Sequence, residues 1–179
     1  MLSQSTKLYK SLQRRYSRRI NLDLKRIKKV LKILNYPHLE LKNPINIIGS
    51  DGKMSTLSSL KYFLEINNKK VNTFTSPHLY DLRQRFWLKK RFITINEIKE
   101  FIKIIEKTKI ELTLFELLTC VYILSAKRVK NINYNLIESG LLFKKDSTNL
   151  WHSPKAQIIT NINFQHQDWV KPKTLFEIC

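Results

Sequence analysis

The feature that most constrains the fold is a strand, a glycine-containing loop and a helix in immediate succession over residues 44–56. An apolar run at 45–48 stops at Gly49, a short polar loop leads to Lys53, and a segment with helical apolar spacing follows. Two of the chain's three glycines, Gly49 and Gly52, lie in this loop, and glycine adopts backbone conformations that other residues avoid. We predict a loop that leaves backbone N–H groups free to bind an anion at a helix N-terminus.

The loop reads G-x-x-G-K-x-S, whereas the standard phosphate-binding motif is G-x-x-x-x-G-K-[ST]. An ordinary strand-to-helix turn is therefore the alternative interpretation. In a nucleotide loop, Lys53 supplies a mobile positive charge and a hydroxyl faces Mg²⁺. The candidate ATP-binding residues are Gly49, Ser50, Asp51, Gly52, Lys53, Met54 and Ser55.

Composition excludes several classes of protein. A chain of 179 residues with 42% apolar residues is long enough to bury the core of one domain. Its apolar runs are far shorter than the roughly 18 residues of a membrane span, and its basic N-terminus lacks the apolar stretch of a secretory signal. Its two cysteines make no disulfide framework. We therefore predict a cytoplasmic protein without a membrane partner.

The net charge of +19 has two interpretations. Strongly basic chains often bind nucleic acid. Here, however, lysine is plentiful along the whole sequence, and basic residues on amphipathic helices usually form a solvated face. We predict no nucleic-acid partner; a contiguous Lys/Arg face away from the nucleotide loop would favour one.

Helical and strand patterns alternate along the chain. This alternation predicts an α/β fold, a mostly parallel sheet flanked by helices. A hairpin or irregular piece is expected at 86–93, and Thr94 with Glu97 forms a candidate capping box. The predicted helices cover 5–19, 22–34, 55–66, 95–107 and 114–126, and the predicted parallel strands cover 45–48, 71–75, 134–138 and 156–162.

Polar residues follow the predicted strands. Because the carboxyl ends of parallel strands meet at one edge of a sheet, the Lys53 loop, Ser76, Glu138 and His166 are expected to lie together. Hydroxyl and carboxylate oxygens suit Mg²⁺. Taken singly, Ser76 can belong to a simple turn, Glu138 can be a surface acid and His166 can be an ordinary loop histidine.

Six motifs in order resemble those of the folylpolyglutamate synthase/dihydrofolate synthase family, in the Mur ligase superfamily. Together they cover about residues 20–178. They are the loop Gly49–Ser55, the T-S-P-H-L sequence Thr75–Leu79, Gln84–Phe86, the L-T-x-F-E sequence Leu112–Glu116, Glu138–Asn149 and Thr160–His166.

The resemblance implies an ATP-dependent ligase that joins L-glutamate to the carboxylate of a folate or dihydropteroate through an acyl phosphate. It implies ATP and Mg²⁺ as cofactors, small-molecule substrates and a P-loop-type ATP-binding domain; we also predict a monomer. By analogy, Gly52, Lys53 and Ser55 hold the ATP phosphates. The implied Mg²⁺ ligands are Ser76, Glu138 and His166, and the implied substrate-binding residues are Thr113, Leu114, Phe115, Glu116, Lys145, Asp146 and Ser147.

The sequence departs from the family pattern near the expected site. Met54 replaces a glycine, Asp51 an asparagine, Gln165 an aspartate and Leu142–Lys144 the sequence Gly-Gly-Arg. These departures favour one alternative, a non-catalytic nucleotide-binding remnant. Another Mur-type ligase is a second alternative, against which the motifs at Ser76–Leu79 and Thr113–Glu116 favour the folate branch.

The resemblance also sets expectations for domains. We expect a helical segment over 1–40 and an ATP-binding domain over 41–179 that is truncated at its C-terminus. The family's carbamylated lysine and its C-terminal domain are expected beyond Cys179.

Overall fold

The computed structural model describes residues 3–16, 23–141 and 143–164, which form a six-stranded sheet flanked by helices. Short 3₁₀ turns occur at Pro37–Glu40, Leu82–Arg85 and Phe143–Lys145. The helices are α1 (Gln4–Arg15), α2 (Lys25–Ile33), α3 (Lys53–Ile66), α4 (Ile95–Glu106) and α5 (Leu114–Arg128). The strands are β1 (Pro44–Ile48), β2 (Val71–Phe74), β3 (Phe86–Leu88), β4 (Arg91–Phe92), β5 (Tyr134–Glu138) and β6 (Ala156–Ile159).

The strand order across the sheet is β4-β3-β2-β5-β1-β6. Strands β2, β5, β1 and β6 are parallel to one another, whereas β3 pairs antiparallel with both β2 and β4, so that β3 and β4 form a hairpin beside β2. This confirms the predicted α/β fold, the four predicted parallel strands and the hairpin. Because the four strands run the same way, the segments that follow them meet at one edge.

Alternate residues of the strands face two apolar cores. The larger core packs α1, α2, α4 and α5 against one face, where the ring of Phe74 stacks on that of Tyr122 with centroids 5.2 Å apart. The smaller core packs Leu57 of α3 against Ile47 and Leu136 on the other face. Leu12 and Ile27 belong to the larger core, so the N-terminal helices pack on the α/β unit; the division at residue 40 stays a prediction.

Several element boundaries differ from the sequence-based prediction by a few residues, and three of them follow from local geometry. Helix α1 ends at Arg15 because Tyr16 is extended, with φ −111° and ψ 137°. Helix α3 begins at Lys53 rather than at residue 55, so the end of the predicted loop is helical. Strand β6 ends at Ile159 because the residues after it turn to contact the loop that follows β1.

The capping box of Thr94 and Glu97 is confirmed at the start of α4. Among the described residues, no helix is both long and apolar enough to cross a membrane.

The stacked rings of the larger core make Phe74→Ala a strongly destabilising change. Phe74 is fully buried between Phe86, Phe115 and Tyr122, so we expect a loss of about 3–5 kcal/mol in the free energy of unfolding, measured with urea. The matched control Phe63→Ala changes a ring that is 59% exposed on α3 and should cost about 0.5 kcal/mol or less. Equal losses for the two variants would contradict this account of the core.

Candidate nucleotide and metal site

The loop after β1 needs glycine at two positions. Gly49 has a φ of +138°, and a Cβ there would overlap the Thr160 hydroxyl and lie 2.7 Å from the carbonyl oxygen of Asn161. Gly52 has a φ of +77° and is the N-cap of α3. Both positions therefore lie in the region that favours glycine, and Gly49 also admits no side chain.

Asn161 holds this loop from the segment that follows β6. Its backbone carbonyl accepts the Ser50 N–H at 2.8 Å, and its side-chain oxygen accepts the Asp51 N–H at 2.8 Å. The Thr160 hydroxyl donates to the carbonyl of Asp51 at 2.6 Å. The prediction of a loop with free N–H groups is therefore wrong for Ser50 and Asp51.

The N-terminus of α3 retains the donors of a first helical turn. The first intrahelical bond runs from the Thr56 N–H to the carbonyl of Gly52, so the N–H groups of Lys53, Met54 and Ser55 precede the regular ladder. The N-cap, a glycine, places no side chain over them. Met54 is helical, so replacing the family's glycine there strains no backbone.

The side chain of Lys53 folds over its own loop. Its ammonium group donates to the carbonyl oxygens of Gly49 at 2.7 Å and Ser50 at 2.9 Å. The ammonium thus lies at the mouth of the loop, beside the α3 N-terminus. Positive charge and helix N–H donors are the two features that bind a phosphate.

Ser76 and Glu138 meet across neighbouring strands through the backbone of Ser76. Glu138 is the last residue of β5 and is only 3% exposed. The backbone N–H of Ser76, which follows β2, donates to its Oε2 at 2.9 Å. Convergence of these two segments on one edge is a consequence of the parallel β2–β5 pairing.

Burial raises the pKa of Glu138 above its usual value. The Ser76 N–H and the positive charges of Lys53 and Arg85 oppose that shift only in part. Glu138 is paired with Ile47 of β1, two residues before Gly49, so it lies at the edge of the sheet where the β1 loop begins. The neighbouring N–H group and positive charges do not fully offset the cost of burying the ionised carboxylate, so Glu138 is a suitable partner for a cation.

Arg85 is a buried cation near Glu138 in the sheet to which sequence reasoning had assigned no role. It is 6% exposed, and its Nε donates to Nδ1 of His78 at 3.0 Å. The ring of Tyr9 lies against both groups. Burial lowers the pKa of Arg85, and Glu138 is one of two neighbours that raise it. The Gln84–Phe86 motif pointed to this region, but the contact with Tyr9 depends on α1 packing.

The two predicted substrate-binding segments meet at Gly140, two residues after Glu138. A Cβ on Gly140 would lie 2.7 Å from the ring of Phe115 and 2.8 Å from Oδ2 of Asp146. Asp146 is buried and accepts hydrogen bonds from the Leu141 N–H and the Thr148 hydroxyl. Burial raises its pKa despite these bonds.

Several of these residues also make local structural contacts. The side chains of Thr113 and Glu116 form a capping box at the start of α5, and Glu116 pairs with Arg26 of α2 at 3.0 Å. The Ser147 hydroxyl is 3.0 Å from that of Thr119. Leu114 is buried and Lys145 is exposed. Their assignment to a substrate stays a prediction.

The metal site is described only in part. His166 and Gln165 lie outside the described residues, as does Leu142. Within the described ranges, no group of three His, Cys, Asp or Glu side chains could hold a metal ion. Glu138 alone of the predicted ligands is a buried carboxylate, and its oxygen chemistry fits a hard cation such as Mg²⁺.

Comparisons with known proteins agree with the motifs. No protein-family model matches the chain. A dihydrofolate synthase/folylpolyglutamate synthase from Bacillus subtilis is 26% identical over 164 residues, 87% of this chain and 37% of that protein. The Haemophilus influenzae protein of the same name is 29% identical over 160 residues, 89% of this chain and 36% of that protein.

Solved structures give the same result. Escherichia coli FolC in complex with DHPP and ADP matches with a TM-score of 0.84 and 25% identity, covering 98% of this chain and 42% of that one. The Yersinia pestis bifunctional folylpolyglutamate synthase/dihydrofolate synthase complexed with AMPPNP and Mn ion matches with the same score, identity and coverage.

The mostly parallel sheet, with a glycine loop leading into a helix after β1, is the fold that this chain shares with the solved structures named here. More particularly, the chain is related in sequence and structure to folylpolyglutamate/dihydrofolate synthases, which confirms the resemblance. It spans under two fifths of the length of the curated relatives named here.

The geometry of the loop predicts different effects for its two glycines. Gly49→Ala meets Thr160 and Asn161 as well as an unfavourable φ, whereas the nearest atom to a Cβ at Gly52 is 3.9 Å away. For Gly52→Ala, the left-handed backbone should lower the free energy of unfolding by about 1–2 kcal/mol. We expect a larger loss for Gly49→Ala. Urea unfolding measures both, and an equal or smaller loss for Gly49→Ala would refute the close packing.

The buried carboxylate predicts a pH-dependent effect of Glu138→Gln. Burial raises the pKa of Glu138 in the folded chain. The protonated side chain therefore contributes fully to the free energy of unfolding at a pH below its pKa in the unfolded chain. That contribution is lost as the pH rises through the raised pKa of the folded chain. Glutamine retains the acceptor for Ser76 but does not titrate.

We therefore expect the variant to gain stability relative to the parent protein as the pH increases from 4 to 8. Urea unfolding of both proteins in a chelator measures this difference, in which the other titrating groups cancel. A difference that is constant with pH, or that moves in favour of the parent protein, would contradict the prediction.

Proposed function

We propose that this chain forms the nucleotide- and metal-binding part of an ATP-dependent ligase that joins L-glutamate to a folate or dihydropteroate carboxylate. The observation that carries the proposal is the Lys53 loop at the N-terminus of α3, together with the buried Glu138 carboxylate that accepts the backbone N–H of Ser76. The relatives named as folylpolyglutamate and dihydrofolate synthases, and the solved complexes with ADP and AMPPNP, support it.

The phosphates of ATP would lie at the first turn of α3. There the N–H groups from Lys53 to Ser55 and the helix dipole favour negative charge. The Lys53 ammonium would exchange its loop carbonyls for phosphate oxygens and stabilise charge on the transferred phosphoryl group. Arg85, held by His78 and Tyr9, would position the Glu138 carboxylate.

Mg²⁺ would be held by Glu138 and Ser76, with His166 as the ligand that the family resemblance adds. When bound, it neutralises phosphate charge. In the reaction, the terminal phosphoryl group of ATP passes to a carboxylate oxygen of the folate, and ADP leaves. The amine nitrogen of L-glutamate then bonds to the acyl carbon, phosphate departs with that oxygen, and the nitrogen loses a proton.

The folate-type substrate would bind where the two segments meet at Gly140. Phe115 offers a ring face there, and Lys145 is an exposed cation near the buried Asp146. We also propose the domain division at residue 40, a monomer, and cytoplasmic localisation. The relatives are longer than this chain, and a complete ligation cycle would also use their additional length.

Two alternatives remain testable. A non-catalytic remnant would bind nucleotide without any response to dihydropteroate. Another Mur-type ligase would be stabilised instead by a nucleotide-linked cell-wall precursor. Thermal unfolding of the chain with ADP and Mg²⁺, with each candidate substrate added separately, distinguishes them.

The proposal predicts that Lys53→Ala weakens binding of ADP and of a non-hydrolysable ATP analogue by about tenfold or more, or about 1.4 kcal/mol. The loss follows from removing a charge-assisted contact to phosphate. Calorimetry in the presence of Mg²⁺ measures it, and Lys69→Ala, just beyond α3, is the control. Unchanged nucleotide affinity in Lys53→Ala would refute the assigned loop.

A further inference from the structure

Helix α2 carries a lysine face that the proposed site does not use. Its lysines recur at i, i+3, i+4 and i+7, which places them on one side of the helix, and all of them are exposed. Helix α2 packs on the face of the sheet opposite to α3, whose N-terminus forms the proposed nucleotide site. The lysine face borders a depression of about 450 Å³ lined by Lys25, Lys28, Lys29, Lys32, Tyr36 and His38.

The charge of the lysine face is not neutralised by the described part of the chain. None of the ion pairs among the described residues involves its four lysines. Residues 24–39 contain no acid. Of the flanking acids, Asp23 accepts the backbone N–H of Lys25, and Glu40 pairs with Lys127 at 2.7 Å. Like charges three and four residues apart repel on a helix, so α2 tolerates a repulsion that a bound polyanion would relieve.

Helix α4 offers a matched comparison. Its exposed Lys99 and Lys103 are four residues apart, as Lys28 and Lys32 are. The same helix carries three glutamates, each of which pairs with an arginine. Basic and acidic side chains thus alternate on α4, as on a solvated face, whereas the lysines of α2 have no such counterparts among the described residues.

Tyr36 presents an aromatic ring at the end of the lysine face. Its backbone N–H donates to the carbonyl of Leu31 at 2.7 Å, and its own carbonyl accepts the N–H of Leu39 at 3.0 Å, which fixes the residue. Tyr36 is 46% exposed and lines the depression. Proteins bind single-stranded nucleic acid with this combination, in which cations contact the phosphates and a base stacks on an exposed ring.

We propose that the lysine face of α2, together with Tyr36, binds single-stranded nucleic acid. The phosphates of the strand lie against the ammonium groups, and one base enters the depression and stacks on the Tyr36 ring. A contiguous basic face away from the nucleotide loop is the feature that favours such a partner. The inference goes beyond the proposed function and does not depend on it, because it concerns the opposite face of the sheet.

The dimensions favour a single strand over a duplex. From Lys25 to Lys32 the face extends about 10 Å along α2, at a rise of about 1.5 Å per residue. Phosphates of one stacked strand recur about every 3.4 Å, so about three of them can face the lysines. The convex surface of a duplex would bridge the depression, whereas a flexible strand can follow it. Small-molecule sites have volumes of about 300–1,000 Å³, so the depression is large enough for a base.

Binding of a fluorescent oligothymidylate to the whole chain, measured by anisotropy at several salt concentrations, tests the proposal. A single strand loses about 0.7 in the slope of log K against log salt for each phosphate contact, so about three contacts predict a slope of about −2. Lys28→Ala/Lys32→Ala should make the slope shallower by about 1.4 and weaken binding about tenfold or more in about 0.1 M salt.

The matched control is Lys99→Ala/Lys103→Ala, which removes the same charge at the same spacing from α4. Because charges distant from the strand are screened, this variant should bind oligothymidylate within about twofold of the parent protein and with the same salt slope. Equal losses in the two double variants would show general attraction to a basic chain and would overturn the proposal.

An abasic strand of the same length separates stacking from attraction to phosphates. It should bind about fivefold or more weakly than oligothymidylate, because stacking of a base on an aromatic ring adds to the affinity. Tyr36→Leu keeps apolar bulk but removes the ring, so it should weaken binding of oligothymidylate and leave binding of the abasic strand unaltered. A Tyr36→Leu variant that binds both strands as the parent protein does would contradict the stacking contact.

Other polyanions make the test specific. Oligouridylate should bind within about twofold of oligothymidylate, since contacts to phosphates and to the face of a base do not involve the 2′-hydroxyl that distinguishes RNA. A duplex of the same sequence length and an acidic peptide of the same charge should both bind several-fold more weakly. Equal or tighter binding of the duplex or of the peptide would overturn the proposal.

The nucleotide site is tested separately. We expect that neither Lys53→Ala nor an excess of ADP with Mg²⁺ changes binding of oligothymidylate. A loss in either experiment would place the strand at the Lys53 loop and overturn the proposal. If ADP fails to bind a chain that still binds the strand, the proposed function fails and the lysine face stands.

Discussion

The position of β5 between β2 and β1 is the constraint on which the candidate site depends. In sequence β5 follows both of these strands, yet in the sheet it separates them and pairs with each in parallel. Its last residue, Glu138, is consequently flanked by Ser76 on one side and, on the other, by the end of β1, which leads into the Lys53 loop. An antiparallel or edge position for β5 would separate these groups, whatever their identity.

Much of this arrangement could be predicted from the sequence. Short segments rich in Ile, Val, Leu and Phe, separated by segments with helical spacing, predicted the parallel strands, because strands buried between two layers of helices are mostly apolar. The chain has only three glycines, and the two that lie close together, Gly49 and Gly52, indicated the turn after β1. The capping box at Thr94 was likewise readable, since its two residues are three positions apart.

Contacts between distant segments could not be predicted in the same way. Asn161 lies more than a hundred residues from the loop that it holds, and its two bonds exist only because β6 is next to β1. Arg85 lies against Tyr9 because α1 packs on that side of the core. Glu116 looked like a binding residue in a motif, whereas its immediate partners are Thr113 and Arg26. Local spacing carries no information about such partners.

Asn161 occupies two backbone N–H groups of the loop that a phosphate would otherwise bind. Whether a phosphate can displace it depends on the free energies of the hydrogen bonds that are exchanged. The two bonds to Asn161 are neutral, and each contributes about 0.5–1.5 kcal/mol net. Hydrogen bonds to a charged group contribute about 1.5–3 kcal/mol, so an anion that takes over the Ser50 and Asp51 donors gains more than the loop loses. The donors of the α3 first turn need no such exchange. On the proposed function, phosphate would therefore bind at α3 first and draw the loop from Asn161 afterwards, while the Lys53 ammonium exchanges the carbonyls of Gly49 and Ser50 for phosphate oxygens.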